Sequence, residues 1–395
     1  MESWRALGRL PRRVWILAAA ALINRAGTMA LPFLTLYLVR GLGWSPSAAG
    51  GMLALYGLVA IGVAPLSGRL CDRVGTNRMM ISCLLASGLA MLAFPAAGSM
   101  PGVIAMIVLW AVPTEAFRPA GMTAVAESTP TEMRKQANAL HRLAVNLGMS
   151  VGPALGGFLA TVSYRWLWWG NAATSLAAAA FLARSLPPPP ESRSAGEAQP
   201  LLSLGALRDP ALLAVLAASL PVSLVFFQHE GPMPLYLVRD LGLPESFYGL
   251  LFSVNTALIV ALEIPLNHAT ARWSHARTLS TGSALFAAGF GAYALGTRSW
   301  HIVAATAVWT FGEMILMPGL TAAVADLAPA RRQGEYMGLY LTSFSVAFML
   351  GPWAGLWLLE TSGPRVLWGA CFATGMLSAA MFSQPGFSAE RPPRA

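Results

Sequence analysis

Leu36-Tyr37-Leu38-Val39-Arg40 returns as Leu235-Tyr236-Leu237-Val238-Arg239, and that return decides the fold. At the same spacing of 199 residues (235 minus 36), Gly50 meets Gly249, Trp110 meets Trp309, Pro119 meets Pro318 and Glu127 meets Asp326. Further along, Pro130 meets Pro329, and Gly152-Pro153 meets Gly351-Pro352. A constant offset held from position 36 to position 153 means two copies of one structural unit, with almost no net insertion between matched points. Parallel membrane repeats of this kind enclose a site that faces either side of the bilayer in turn, so the pattern itself points to transport.

Composition places both copies in lipid. Hydrophobic residues make up 56% of the chain and charged residues 11%, a balance foreign to soluble domains of this size. Runs of about 20 apolar residues recur, the length that crosses a hydrocarbon core of roughly 30 Å. They predict twelve spans near 14–38, 48–70, 78–97, 102–127, 139–162, 165–186, 210–238, 246–268, 277–296, 300–327, 335–360 and 364–383. The expected fold is an all-α membrane protein of two six-helix bundles, 1–186 and 210–395, joined by a polar linker at 187–209. Pro187 to Pro190 stiffen the exit from span 6, and Leu201, Leu202, Leu204 and Leu207 suggest a short amphipathic piece on the inner leaflet.

Nineteen of the 26 Lys and Arg fall on the side that holds the N-terminus. Five (Arg40, Arg165, Arg239, Arg298 and Arg365) face the other side, and Arg25 and Arg118 sit inside spans. This positive-inside asymmetry predicts that both termini are cytoplasmic. It also accounts for the net charge of +9 without nucleic acid, since no basic patch carries interleaved stacking aromatics. The N-terminal basic and apolar stretch reads as an uncleaved signal-anchor, because cleavage would remove half of span 1. The one lysine, Lys135, follows arginine rather than glycine, so no nucleotide-binding P-loop exists. Cys71, Cys83 and Cys371 lack metal-type spacing, and no nucleophile-base set has a plausible context. The chain is expected to be no enzyme, to use no cofactor or metal, and to act as a monomer on a small-molecule substrate amid membrane lipid.

Ionisable groups inside a span cost roughly 2.5–3.5 kcal/mol each on insertion scales and are functional candidates by default. Arg25, Glu115, Arg118, His229, Glu230 and Glu313 fall in spans 1, 4, 7 and 10, the equivalent first and fourth helices of the two repeats. They are the expected substrate and proton cavity. Glu115 and Arg118 share a helix face; with Arg25 they form either an anion site or an ion-paired packing contact. Glu230 and Glu313 have no basic neighbour in their own half apart from His229, which makes them the preferred proton carriers. Glu263, near the inner end of span 8, either joins them or only snorkels. Met122, Phe117, Met314, Met317 and Trp309 are expected to offer an adaptable apolar wall.

Between spans 2 and 3, Gly68-Arg69-Leu70-Cys71-Asp72-Arg73-Val74-Gly75-Thr76-Asn77-Arg78 resembles the loop signature of the major facilitator superfamily. Thr76 and Asn77 stand where basic residues are usual, and the second copy keeps Arg272 but has Ala271 in place of the aspartate. Span 5 carries Gly148-x-x-x-Gly152-Pro153-x-x-Gly156-Gly157, similar to the motif of the superfamily's drug:proton antiporters. Arg118 sits where the exporter branch carries a membrane arginine, although Pro119 follows it here. The span 5 motif is expected to seal spans 5 and 8 together, since its glycines permit close approach. A gating set of Gly68, Asp72, Arg73, Gly75, Glu127, Arg272 and Asp326 is expected at the cytoplasmic end, with Arg73–Glu127 and Arg272–Asp326 as symmetry-related ion pairs.

The resemblance implies a proton-coupled, alternating-access exporter of amphipathic compounds in a bacterial inner membrane, with the proton as coupling ion. An importer of small anions, a lipid or lysolipid flippase and a membrane ligand sensor are the alternatives. The arginine bias, 25 Arg against one Lys, fits a GC-rich bacterial genome.

Overall fold

Backbone N–H and C=O groups find no water in hydrocarbon, so a chain of apolar runs must satisfy them within each segment, which means helices. The computed structural model describes residues 10–130, 133–186, 205–329 and 332–384, and every regular element among them is helical. In the first repeat these are α1 (Arg12–Ala26), α2 (Pro46–Val74), α3 (Thr76–Ala93), α4 (Met100–Glu127), α5 (Arg134–Val162) and α6 (Arg165–Ser185). In the second they are α7 (Pro210–Phe226), α8 (Glu245–Thr270), α9 (His275–Ala292), α10 (Ser299–Leu327), α11 (Gln333–Ser362) and α12 (Pro364–Phe382). Among the described residues, nine helical stretches are long and apolar enough to cross a membrane. α1, α6 and α9 occupy the remaining three expected spans but fall outside that set.

The described chain divides into two compact units. Of the described residues, one holds 10–37, 58–130, 133–186 and 244–252; the other holds 38–57, 205–243, 253–329 and 332–384. Each unit therefore takes in the start of the second helix of the other repeat. Packing inside the units follows the repeat helix for helix. α1 lies on α5 and α6, and α3 on α4 and α6; α7 lies on α11 and α12, and α9 on α10 and α12.

Spans 1 and 7 are not continuous helices, a correction to the sequence reading. α1 stops at Ala26, and a run of turns leads to a short helix at Leu34–Leu36 and a π turn at Tyr37–Gly41. α7 stops at Phe226 and continues through a 3-10 turn at Phe227–His229, a short helix at Pro232–Leu235 and a π turn at Tyr236–Asp240. The repeated Tyr-Leu-Val-Arg string thus forms the same uncommon turn twice. Both π turns lead into a left-handed glycine, Gly43 (φ 73°) and Gly242 (φ 66°).

Aromatic residues at repeat-equivalent positions pin both π turns. In the first unit Tyr37 meets Trp168 edge-on, with ring centroids 5.2 Å apart, and Phe94 stacks on Trp168 at 3.6 Å. Trp110 closes the group edge-on to Trp168 at 5.5 Å. In the second unit Tyr236 meets Trp368 at 5.4 Å, Tyr293 meets Trp368 at 5.1 Å, and Trp309 donates from Nε1 to the Tyr293 hydroxyl at 2.9 Å. Tyr236 adds a hydrogen bond from its hydroxyl to the Tyr293 carbonyl, 2.9 Å. All eight rings are buried.

Residues 187–204 of the expected linker lie outside the described residues. The linker's end, a 3-10 turn at Gly205–Arg208, is tied to the start of α11, where Ala206 donates from its backbone N to Glu335 at 2.6 Å. Arg332 holds the same carboxylate at 2.8 Å, and that bond raises the guanidinium above its ordinary value.

Adjacent tryptophans separate packing from lipid exposure. Trp168 is fully buried and Trp169 is 38% exposed. Trp168→Ala is expected to cost about 3–5 kcal/mol of stability, and Trp169→Ala under about 1 kcal/mol. Thermal unfolding of the two purified variants in detergent checks the contrast.

Candidate transport and coupling site

In the first unit, α4 carries Glu115 and Arg118 on one face because they lie three residues apart. Arg118 Nη1 is 3.9 Å from Glu115 Oε2, with the arginine side chain 63% exposed and the glutamate 17%. A contact that long and that open is a weak tie. Arg25 ends α1, and its charge acts on His141 of α5, a residue the sequence reading did not single out. Beside them Asn24, Cys83, Ser87, Thr114 and Phe117 line a small cavity, across which Ser87 and Thr114 are hydrogen-bonded at 3.0 Å.

The glycine motif of α5 works in two directions. A Cβ at Gly148 would lie 2.5 Å from Arg25 Cβ, and one at Gly152 would lie 2.8 Å from the Arg25 carbonyl. Gly156 faces Met29 in the break that follows α1. Gly157 alone of the four faces α8, where a Cβ would meet the Glu245 carbonyl at 2.8 Å. α8 answers with Gly249, whose Cβ would sit 2.3 Å from the carbonyl of Pro153. The motif therefore lets α5 approach α8 through Gly157 and Pro153, α1 through Gly148 and Gly152, and the break after α1 through Gly156.

Each break has its own amide partner. Asn171 of α6, buried, accepts from the backbone N–H groups of Met29 and Ala30, both at 3.3 Å. Gln228 donates from Nε2 to the carbonyls of Leu224 at 2.8 Å and Gly351 at 2.9 Å. Backbone freed from a helix inside lipid needs such replacements. Both residues were legible as polar groups within spans, but only charged ones were selected.

In the second unit the break places His229 and Glu230 side by side, buried. His229 Nδ1 lies 2.6 Å from the Phe226 carbonyl and Nε2 lies 3.7 Å from Glu230 Oε1. The imidazole stacks on Trp309 of α10, ring centroids 6.2 Å apart. One turn along α10 from Trp309, Glu313 accepts a hydrogen bond at Oε2 from Asn255 Nδ2 of α8 at 2.8 Å. Glu263, on the same helix as Asn255, is a charge that acts on Glu313. Of the expected apolar wall, Phe117, Met314 and Trp309 are buried in packing, while Met122 is exposed.

At the C-terminal ends of α4 and α10, Glu127 accepts from the Thr76 hydroxyl at 2.9 Å, and Asp326 lies 3.0 Å from His275 Nε2. Thr76 and His275 are themselves repeat-equivalent (275 minus 76 is 199). Among the described residues no ion pair joins Arg73 to Glu127 or Arg272 to Asp326. Glu127 thus meets the start of α3, and Asp326 meets the start of α9. Gly75, between α2 and α3, has φ 88° and ψ 140°, a conformation reserved for glycine. Its second-copy equivalent is Ser274, at φ −65°. The side chains at Gly68 and Asp72 lie outside the described residues.

Two repeats of six helices, broken first helices and ionisable groups along them define a multi-pass membrane transporter. The chain belongs to the Major Facilitator Superfamily, whose sequence pattern matches residues 14–244 and 231–394. It is 26% identical over 362 residues to Multidrug resistance protein MdtH of Edwardsiella ictaluri, covering 89% of this chain and 88% of that one. It is 22% identical over 365 residues to a Na(+), Li(+), K(+)/H(+) antiporter of Planococcus maritimus, covering 84% and 85%. Among solved structures, nucleoside transporter NupG (D323A mutant) superposes with a TM-score of 0.83 at 11% identity, over 94% of this chain and 99% of that one. That likeness is one of fold. Like its relatives the protein is a transporter, not an enzyme.

The glycine between α2 and α3 gives a direct check. Gly75→Ala is expected to cost about 1–3 kcal/mol from backbone strain. Gly334→Ala, in a helix with nothing within 4 Å of the added carbon, is expected to be neutral or stabilising by up to about 1 kcal/mol. Midpoints of thermal inactivation for the two variants against the parent measure the difference.

Proposed function

We propose that this protein is a proton-coupled secondary transporter that works by alternating access and exports amphipathic small molecules. The reading sets it in a bacterial inner membrane with both termini cytoplasmic, as the basic-residue asymmetry indicates.

The observation that carries the reading is the hydrogen-bond logic at His229 and Glu230. The Phe226 carbonyl only accepts, so His229 Nδ1 carries a hydrogen. Nε2, facing Glu230, is then either a second N–H or a bare lone pair. Across the 3.7 Å gap, a bare lone pair opposite a carboxylate sets two acceptors against each other. A proton on either residue relieves that opposition, so the pair is a place where one can be taken up. Glu313 supplies a second carboxylate in the same unit. Protons arriving from outside load these groups and weaken their hold on a substrate, which leaves; the proton is then released inward. Each proton gains about 2.3 kcal/mol per 100 mV of membrane potential. The names of the relatives, a multidrug resistance protein and a cation/proton antiporter, support proton-linked efflux at the level of the family branch.

Ethidium movement in proteoliposomes under an imposed pH gradient tests the proposal. The parent protein is expected to move ethidium in the direction opposite to the proton flow. Glu230→Gln and Glu313→Gln are each expected to reduce gradient-driven movement at least tenfold. Unaltered pH dependence in both variants removes the proposed coupling sites.

A further inference from the structure

Asn255 lies on α8, in a stretch where its neighbours Val254, Ala257 and Leu258 are apolar. Its Nδ2 donates both its hydrogens, one to Thr310 Oγ1 at 3.0 Å and one to Glu313 Oε2 at 2.8 Å. Thr310 is in turn committed, because its hydroxyl donates to the Thr306 carbonyl at 2.8 Å. The amide plane is thereby locked, with one N–H aimed at the carboxylate.

We propose that Asn255 is the positioning residue for Glu313, holding its carboxylate in place and setting when it takes up a proton. The proposal rests on the reading of Glu313 as a proton site. An amide suits the task because it carries no charge of its own. It donates to the carboxylate from Nδ2 without fixing that carboxylate in its charged form. A lysine or arginine at this place would hold the carboxylate charged at every working pH; a leucine would leave it unsupported.

The other titratable groups around α10 do not duplicate this contact. Glu263 of α8 acts on Glu313 through its charge. His229, from the break after α7, stacks on Trp309, and Glu230 faces His229. α9 brings His275 and Arg277 at its N-terminal end, with His275 on Asp326. From α11, Tyr340 approaches α10 near Thr321.

Infrared titration of the purified protein in lipid tests the assignment without knowledge of the substrate. The carboxylic C=O band that disappears in Glu313→Gln belongs to Glu313. In Asn255→Leu that band is expected to change frequency and to persist to higher pH, by about one pH unit, or tenfold in proton concentration. The sign follows because an N–H donor steadies the charged carboxylate more than the protonated acid. Asn255→Ala is measured beside it, so that failure of one variant to fold leaves the other. Thr310→Val, which removes the other bond of the same amide, is expected to leave the band frequency unchanged. Loss of no band in Glu313→Gln overturns the proton-site reading and this proposal with it. A band that is lost there, yet keeps its frequency and midpoint in the Asn255 variants, overturns the role of Asn255 alone. Equal displacement in Thr310→Val also overturns it, because the effect then belongs to packing.

Discussion

A tyrosine set edge-on against a fully buried tryptophan, once in each repeat, is the contact on which the rest of this structure leans. Tyr37 on Trp168 and Tyr236 on Trp368 tie the π turn at the end of the first span to the sixth helix of the same repeat. Lipid tails are as apolar as leucine, so burying hydrocarbon does little to hold helices together in a bilayer. Shape and ring geometry must supply the specificity, and aromatic pairs add attraction beyond their area. With the π turn fixed, the chain upstream of it can leave helical geometry without losing its place.

That freedom is used at the same level in both copies, but satisfied differently. The break after α1 borrows an acceptor from Asn171 on another helix, whereas the break after α7 is clamped by Gln228 within the break itself. The second copy gains a hydroxyl in its aromatic group, since Tyr293 stands where Phe94 stands in the first. Duplication preserved the geometry, and each copy then found its own polar solution.

The division of chemistry follows. The first unit holds the permanent charges Arg25 and Arg118, and its glycines let α5 close on both α1 and α8. The second unit holds carboxylates with neutral or titratable partners: an imidazole beside Glu230 and an amide on Glu313. A fixed cation cannot follow pH, whereas a carboxylate next to a neutral donor can. The proposed proton coupling therefore rests on the second unit.

The sequence by itself determined the duplication, the helical membrane class and the spans that carry charge, because the constant spacing, apolar run length and cost of ions in lipid are readable one residue at a time. It also marked the close-approach glycines of α5, though not their partners. Only the tertiary structure decided that spans 1 and 7 are interrupted, that Trp168 rather than Trp169 is buried, and that Glu127 and Asp326 meet Thr76 and His275. Asn171, Gln228 and Asn255 went unselected for a physical reason: a neutral amide carries no charge to mark it, and its role lies in which backbone or carboxylate the fold brings to it. Pairing across helices is a property of packing angle and rotamer, which spacing along the chain does not encode.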